Sequence, residues 1–294
     1  MRRIIWLLLA IISFSSVGTL RVLASSWPSE IIALVRMGGA ALIFSFILFS
    51  KKNRQPVKGM KDWAEISAIG IIIAVVFLLL LQAFEEAPVS SIKPISFIEP
   101  VIVLGLSVVF LKERVGLAAL LAAVFAMGGL SLIIDWNFEM REAGGVWLAA
   151  IAMVFMAIGT IIIKKVEMDV SIIDVLFYPF IIGFFALLLW VAINPPEMEG
   201  MDYSQWPYVA LMAILTAIAF FAYDEAVYYL GAHVSALAIN GGVAVIGSLM
   251  AVYFVSDNMH ALWLPSVFLF IVSGALIYVD SVQNERAEYK KLHH

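Results

Sequence analysis

Five ionisable side chains sit more than one helical turn inside long apolar runs of this chain: Arg36, Lys93, Glu99, Asp224 and Glu225. An ion near the centre of a bilayer costs roughly 2.5–3.5 kcal/mol, so each needs a partner, a water-filled cavity or a neutral state. Arg36 lies about six residues, or roughly 9 Å of helix, inside its run, and Lys93 is at a similar depth beside Pro94. Both are suited to holding a carboxylate. Glu99, near the middle of its run and next to Pro100, can bind and release a proton; the structural alternative is a fixed pair with Arg36. Six α-helical residues turn through about 600°, which points Lys93 and Glu99 about 120° apart, with Phe97 on the Lys93 side and Ser96 between the two faces.

Asp224 and Glu225 stand among Tyr223, Tyr228 and Tyr229. Neighbours on a helix diverge by about 100°, so one of the two acids is expected to face inward, to take an ammonium group or a proton or to bond a tyrosine hydroxyl. Arg21 lies about one turn from the end of its run, from which its stem can extend to the headgroups. Ser171-Ile172-Ile173-Asp174 reads as a capping box. There is no cysteine, and His233, His260 and the terminal His293-His294 are not spaced to hold a metal. No phosphate loop or Ser-His-Asp grouping is present, so the pattern speaks against an enzyme and no cofactor is expected. No basic tract suggests nucleic acid.

The elements that position these residues follow from composition. The 294 residues are 63% hydrophobic and 14% charged, with a mean hydropathy of +1.02, which excludes an ordinary soluble core. The apolar runs are about twenty residues long, as about 30 Å of hydrocarbon requires. Spans are expected at 4–24, 30–50, 63–84, 89–111 and 116–134, then at 145–163, 171–193, 207–229, 233–255 and 261–280. With a cytoplasmic N-terminus, the inner segments hold Arg2, Arg3, Lys51, Lys52, Arg54, Lys58, Lys61, Lys112, Arg114, Lys164, Lys165, Arg286, Lys290 and Lys291, and the outer loops hold Arg141. That bias places both termini inside a cell membrane. The alternative of a signal peptide ending at Val22-Leu23-Ala24 is weakened by Arg21 within the apolar stretch.

An internal repeat is also visible. Trp6 and Gly18-Thr19 match Trp147 and Gly159-Thr160, and residues 87–135 align without a gap on 232–280, as in Ala87-Val89-Ser90 with Ala232-Val234-Ser235. Both matches place the break near residue 140, giving halves 1–140 and 141–294. Five helices per half is odd, so the halves run in opposite orientations, an architecture of many secondary transporters. The alignment maps Pro94–Pro100 onto Ile239–Val245, which holds Gly241-Gly242 after Asn240. Paired interruptions of the fourth and ninth helices are therefore expected to mark the binding site, the alternative being that the glycines let helices approach closely.

Ala87-Pro88-Val89-Ser90-Ser91, Phe97-Ile98-Glu99-Pro100-Val101, Leu111-Lys112-Glu113-Arg114 and Gly128-Gly129 resemble the fourth and fifth helices of the drug/metabolite transporter superfamily, EamA type. Arg36 and the helix start at Gly145 fit the same pattern. The second half departs from it at Ala244-Val245 and Ser256-Asp257-Asn258. The resemblance implies an all-α membrane protein of ten helices around a central cavity that exports a small metabolite. The expected substrate is charged or zwitterionic and amino-acid-like, held by Arg36, Lys93, Ser96, Phe97, Asn240, Gly241, Tyr223 and Asp224, with Glu99 and Glu225 as coupling groups. The expected partners are this small molecule, a coupling proton and the bilayer, with the chain a monomer or homodimer. A multidrug or organic-cation exporter is the alternative, and a membrane-embedded enzyme, a sensor or a scaffold are more distant ones.

Overall fold

The computed structural model describes residues 2–50, 57–111, 115–133, 140–166, 170–230, 232–256 and 263–292. Its helices are α1 (Arg2–Leu23), α2 (Ser29–Ser50), α3 (Met60–Glu86), α4 (Val89–Leu111), α5 (Leu117–Ile133), α6 (Met140–Val166), α7 (Ile172–Ile193), α8 (Trp206–Leu230), α9 (Ala232–Val255) and α10 (Trp263–Leu292). Eight of these, α1 to α4 and α6 to α9, are long and apolar enough to cross a membrane; α5 and α10 carry shorter apolar stretches, Leu117–Leu132 and Leu264–Leu276. No strand occurs among the described residues. A backbone in hydrocarbon must satisfy its own polar groups, and a helix does so within one segment.

The helices interleave. α1 packs mainly on α8 and α9, α3 on α6 and α7, α2 on α7 and α8, α4 on α9 and α6, and α5 on α10. Exchanging each helix with the one five places along leaves this pattern unchanged. Small residues set the closest approaches, as they do where lipid supplies no hydrophobic drive between helices. A Cβ on Gly183 would lie 2.6 Å from the Gly70 carbonyl oxygen, and one on Gly70 would lie 2.6 Å from that of Pro179. Beside this contact Phe180 meets Phe44, Phe77 and Phe220 edge to face, at centroid distances of 5.4, 6.3 and 5.0 Å.

One face of the bundle carries the turns at 24–28 and 87–88 and the segment 194–205. There Trp27 Nε1 donates to the Asp202 carbonyl (3.0 Å), and Ser26 Oγ donates to Gln205 (2.8 Å). At the opposite face Lys165 pairs with Glu65 (2.9 Å) across α6 and α3. The expected orientation rests largely on Arg2, Arg3, Lys51, Lys52, Arg54, Lys112, Arg114, Arg141 and the tail from Arg286, whose side chains lie outside the described residues. The side chains of His233, His260 and His293-His294 lie outside them as well.

Two local expectations change. Ser171 is the N-cap of α7 but makes no side-chain capping bond. α9 is a regular helix from Ala232 to Val255, so the interruption expected at Gly241-Gly242 is absent. Its glycines serve close packing instead: a Cβ on Gly242 would lie 2.5 Å from Ile11, and one on Gly247 would lie 3.0 Å from the stem of Lys93.

Candidate functional site

The chemistry begins in α4, where the helix is irregular. It runs as an α turn over Val89–Ile92, a 3₁₀ stretch over Lys93–Phe97, an α-helix over Ile98–Leu106 and a π turn over Ser107–Leu111. Pro94 and Pro100 each lack a backbone donor and crowd the carbonyl four residues earlier, which disfavours an unbroken α-helix here. The tighter stretch changes the bearing of its side chains. Four steps at about 120° and two at about 100° bring Lys93 and Glu99 to within about 40° of each other, not the 120° of a straight α-helix. Both therefore face one cavity.

Glu99 is buried and bonded to neutral groups. Its Oε1 accepts from Thr160 Oγ1 of α6 (3.0 Å) and Tyr223 Oη of α8 (3.4 Å), and its Oε2 accepts from Asn240 Nδ2 of α9 (3.1 Å). Among the described residues it makes no ion pair, so the fixed pair with Arg36 does not form. One α4 carboxyl thus links three helices of the second half. Thr160 and Tyr223 hydroxyls, 3.4 Å apart, can each donate or accept, so the network accommodates the carboxyl with or without its proton.

Arg36 of α2 is held from one side. Its Nε donates to Thr216 Oγ1 of α8 (2.9 Å), and its guanidinium lies 3.9 Å from the Phe77 ring centroid, a cation–π arrangement. Thr216 Oγ1 in turn donates a hydrogen bond to the Met212 carbonyl (2.7 Å). The two Nη groups of Arg36 make no hydrogen bond among the described residues. Lys93 Nζ donates to the Phe14 carbonyl of α1 (2.6 Å) and faces the Phe84 ring at 5.3 Å. Among the described residues neither cation is paired with a carboxylate, and two like charges on one low-dielectric wall repel until an anion joins them.

The cavity these groups share is about 90 Å³, room for several waters or part of one small molecule. Arg36, Lys93, Ser96, Glu99, Tyr223 and Asn240 form its polar wall, and Phe14, Phe77, Phe84, Phe220, Met153 and Met156 much of its apolar one.

The EamA-like transporter family model matches this chain twice, over residues 1–135 and 143–279. The chain belongs to the EamA-like transporter family. It is therefore a multi-pass membrane transporter of the drug/metabolite type with two repeats. The match brings no enzymatic activity with it. One solved crystal structure is similar in fold, at 15% identity and a TM-score of 0.75, covering 96% of this chain and 98% of that one. No curated protein matches.

In this EamA-like transporter, six of the ten residues singled out from sequence meet at the cavity. Ser96 does so with its hydroxyl bonded to the Lys93 carbonyl (2.7 Å). Four stand elsewhere. Phe97 stacks on Phe270 (4.4 Å, 10° between planes) behind the wall, and Gly241 backs onto Phe97. Asp224 is buried in α8 but does not line the cavity, and Glu225, half-buried, does not line it either. Arg21 departs from the snorkelling expectation: it is buried and paired with Glu85. Sequence reading did not single out Thr216 or Phe77 and used Thr160 only as a mark of the repeat. A hydroxyl on an apolar helix looks like any other until its partner is known.

Proposed function

We propose that this transporter exports a small amphipathic zwitterion, amino-acid-like, across the cell membrane by alternating access between its two halves. The observation that carries the reading is one cavity with two unneutralised cations, Arg36 and Lys93, and, about 11 Å further along α4, a carboxyl held by neutral donors. A substrate carboxylate meets the cations, and its ammonium or a coupling proton meets Glu99. Phenyl and thioether side chains receive the apolar part of the substrate.

The same reading adds α5 and α10 to the other eight as spans, making ten, in inverted halves 1–140 and 141–294 with both termini cytoplasmic. The support is the packing pattern that survives exchange of the halves and the charge distribution along the sequence. The face carrying the 24–28 turn is then the outer one. Alternating access requires the halves to part, and the bonds from Glu99 to Thr160, Tyr223 and Asn240 cross between them. They are the contacts a proton on Glu99 would weaken.

Reconstituted vesicles test this. Counterflow of a labelled amino acid should fall at least tenfold in Arg36→Ala and in Lys93→Ala, with carboxylate-free amines failing to compete. Undiminished flux in both variants removes the carboxylate clamp. The second reading, an organic-cation exporter, draws on the aromatic wall and Glu99; it predicts competition by amines and none by carboxylates.

A further inference from the structure

We propose that Phe84 and the Arg21–Glu85 ion pair form the outer gate of the central cavity. A second, wider cavity of about 600 Å³ opens beside the 24–28 turn, lined by polar groups including Arg21, Ser29, Glu30, Glu85 and Glu197. Phe84 lines both cavities. Its ring, 8% exposed, separates a site holding Lys93 and Arg36 from a vestibule with room for water.

The next residue of α3 carries the lock. Glu85 Oε1 accepts from Arg21 Nη2 of α1 and from Ser29 Oγ of α2, and Arg21 Nη1 also donates to the Ala24 carbonyl (3.1 Å). A single carboxylate oxygen thus ties the ends of three helices, one residue along α3 from Phe84 and in the same vestibule. The pair is asymmetric in exposure, with Arg21 4% and Glu85 40% exposed. An ion pair with one partner in water is held weakly and is readily broken.

The position of the pair distinguishes a gate from a plain structural clamp. A structural pair belongs on a contact that stays shut, whereas this one lines the vestibule next to Phe84, the residue that both cavities share. The α1 segment next to it is also thinned: a Cβ on Gly18 would lie 3.1 Å from both Phe84 Cε1 and Lys93 Cε. The missing side chain is the space in which the ring and the lysine stem lie against α1. Pro196 and Glu197 also line the vestibule, and their segment is anchored to the 24–28 turn by Ser26 and Trp27. Opening therefore requires Phe84 to leave the α1 surface and Glu85 to release Arg21. A zwitterion in transit offers each of those charges a replacement partner.

Because the chain has no cysteine, the gate can be read without any substrate, which separates this test from that of the zwitterion reading. Val17→Cys places one thiol on the central cavity wall, and a membrane-impermeant thiosulfonate reagent is applied from the outer side of oriented vesicles. Labelling should be slow in this parent, at least tenfold faster with Phe84→Ala added, and several-fold faster with Glu85→Gln. The charge swap Arg21→Glu with Glu85→Arg should return it toward the parent rate. If Phe84→Ala does not fold, Phe84→Leu and Glu85→Gln carry the test. Rates equal to or below the parent in folded variants overturn the gate, and acceleration only from the inner side overturns its assignment to the outer face.

Discussion

Removing the Thr160 hydroxyl from the Glu99 network provides a test worked from the geometry. Thr160→Val keeps the shape of the side chain and deletes the donor that Glu99 Oε1 accepts at 3.0 Å. Its other donors, Tyr223 at 3.4 Å and Asn240 at 3.1 Å, remain. A hydrogen bond to an ionised group contributes about 1.5–3 kcal/mol, one between neutral groups about 1 kcal/mol. If Glu99 carries its charge in the resting state, Thr160→Val should cost about 1.5–3 kcal/mol in the wild-type background. With Glu99→Gln already present it should cost about 1 kcal/mol, leaving a coupling of about 0.5–2 kcal/mol for a double-mutant cycle to measure. Unfolding free energies in bicelles, measured by steric trapping, supply the four corners of the cycle. The same variant should slow transport in vesicles, because the network that joins α4 to the second half is altered. A Thr160→Val cost below about 0.5 kcal/mol in both backgrounds would refute the claim that this bond holds Glu99.

Further outcomes follow from other contacts. Thr216→Val removes the anchor on Arg36 Nε and should weaken binding of a carboxylate substrate about three- to tenfold, by the roughly 0.5–1.5 kcal/mol of one hydrogen bond, as read by calorimetry on purified protein. Phe97→Leu loses the 4.4 Å stack on Phe270 and should cost about 0.5–1.5 kcal/mol beyond the lost area. Substrate affinity should stay unchanged because Phe97 lies behind the cavity wall; a large affinity change would return it to the site. Gly183→Ala drives a Cβ to 2.6 Å from the Gly70 carbonyl, which α3 and α7 can relieve only by separating, so about 1–3 kcal/mol of stability should go and the thermal midpoint in detergent should fall. Gly18→Ala, whose Cβ meets Val89 Cγ1 at 2.7 Å, should lower transport more than stability, because the crowded groups include Phe84 and Lys93.

The sequence by itself determined the class of molecule. Apolar runs of membrane length, the charges between them and the repeat around residue 140 were sufficient, because hydrocarbon thickness and the cost of a bare backbone leave a helix few alternatives. It also pointed to Arg36, Lys93 and Glu99, because an ion within an apolar run requires an explanation wherever the helix packs. Only the tertiary structure decided how those residues are used. The 3₁₀ stretch in α4 turned Lys93 and Glu99 toward one cavity, an effect of two prolines that an ideal α-helical wheel misses. Gly241-Gly242 looked like a counterpart to that interruption, but glycine also serves wherever two helices touch, and α9 runs straight through. Phe97, Asp224 and Arg21 had the right chemistry for the cavity and took other places. The direction a side chain faces in a bundle is fixed by helix rotation and by its neighbours, and a set of apolar helices allows many rotations that one hydropathy pattern fits equally well.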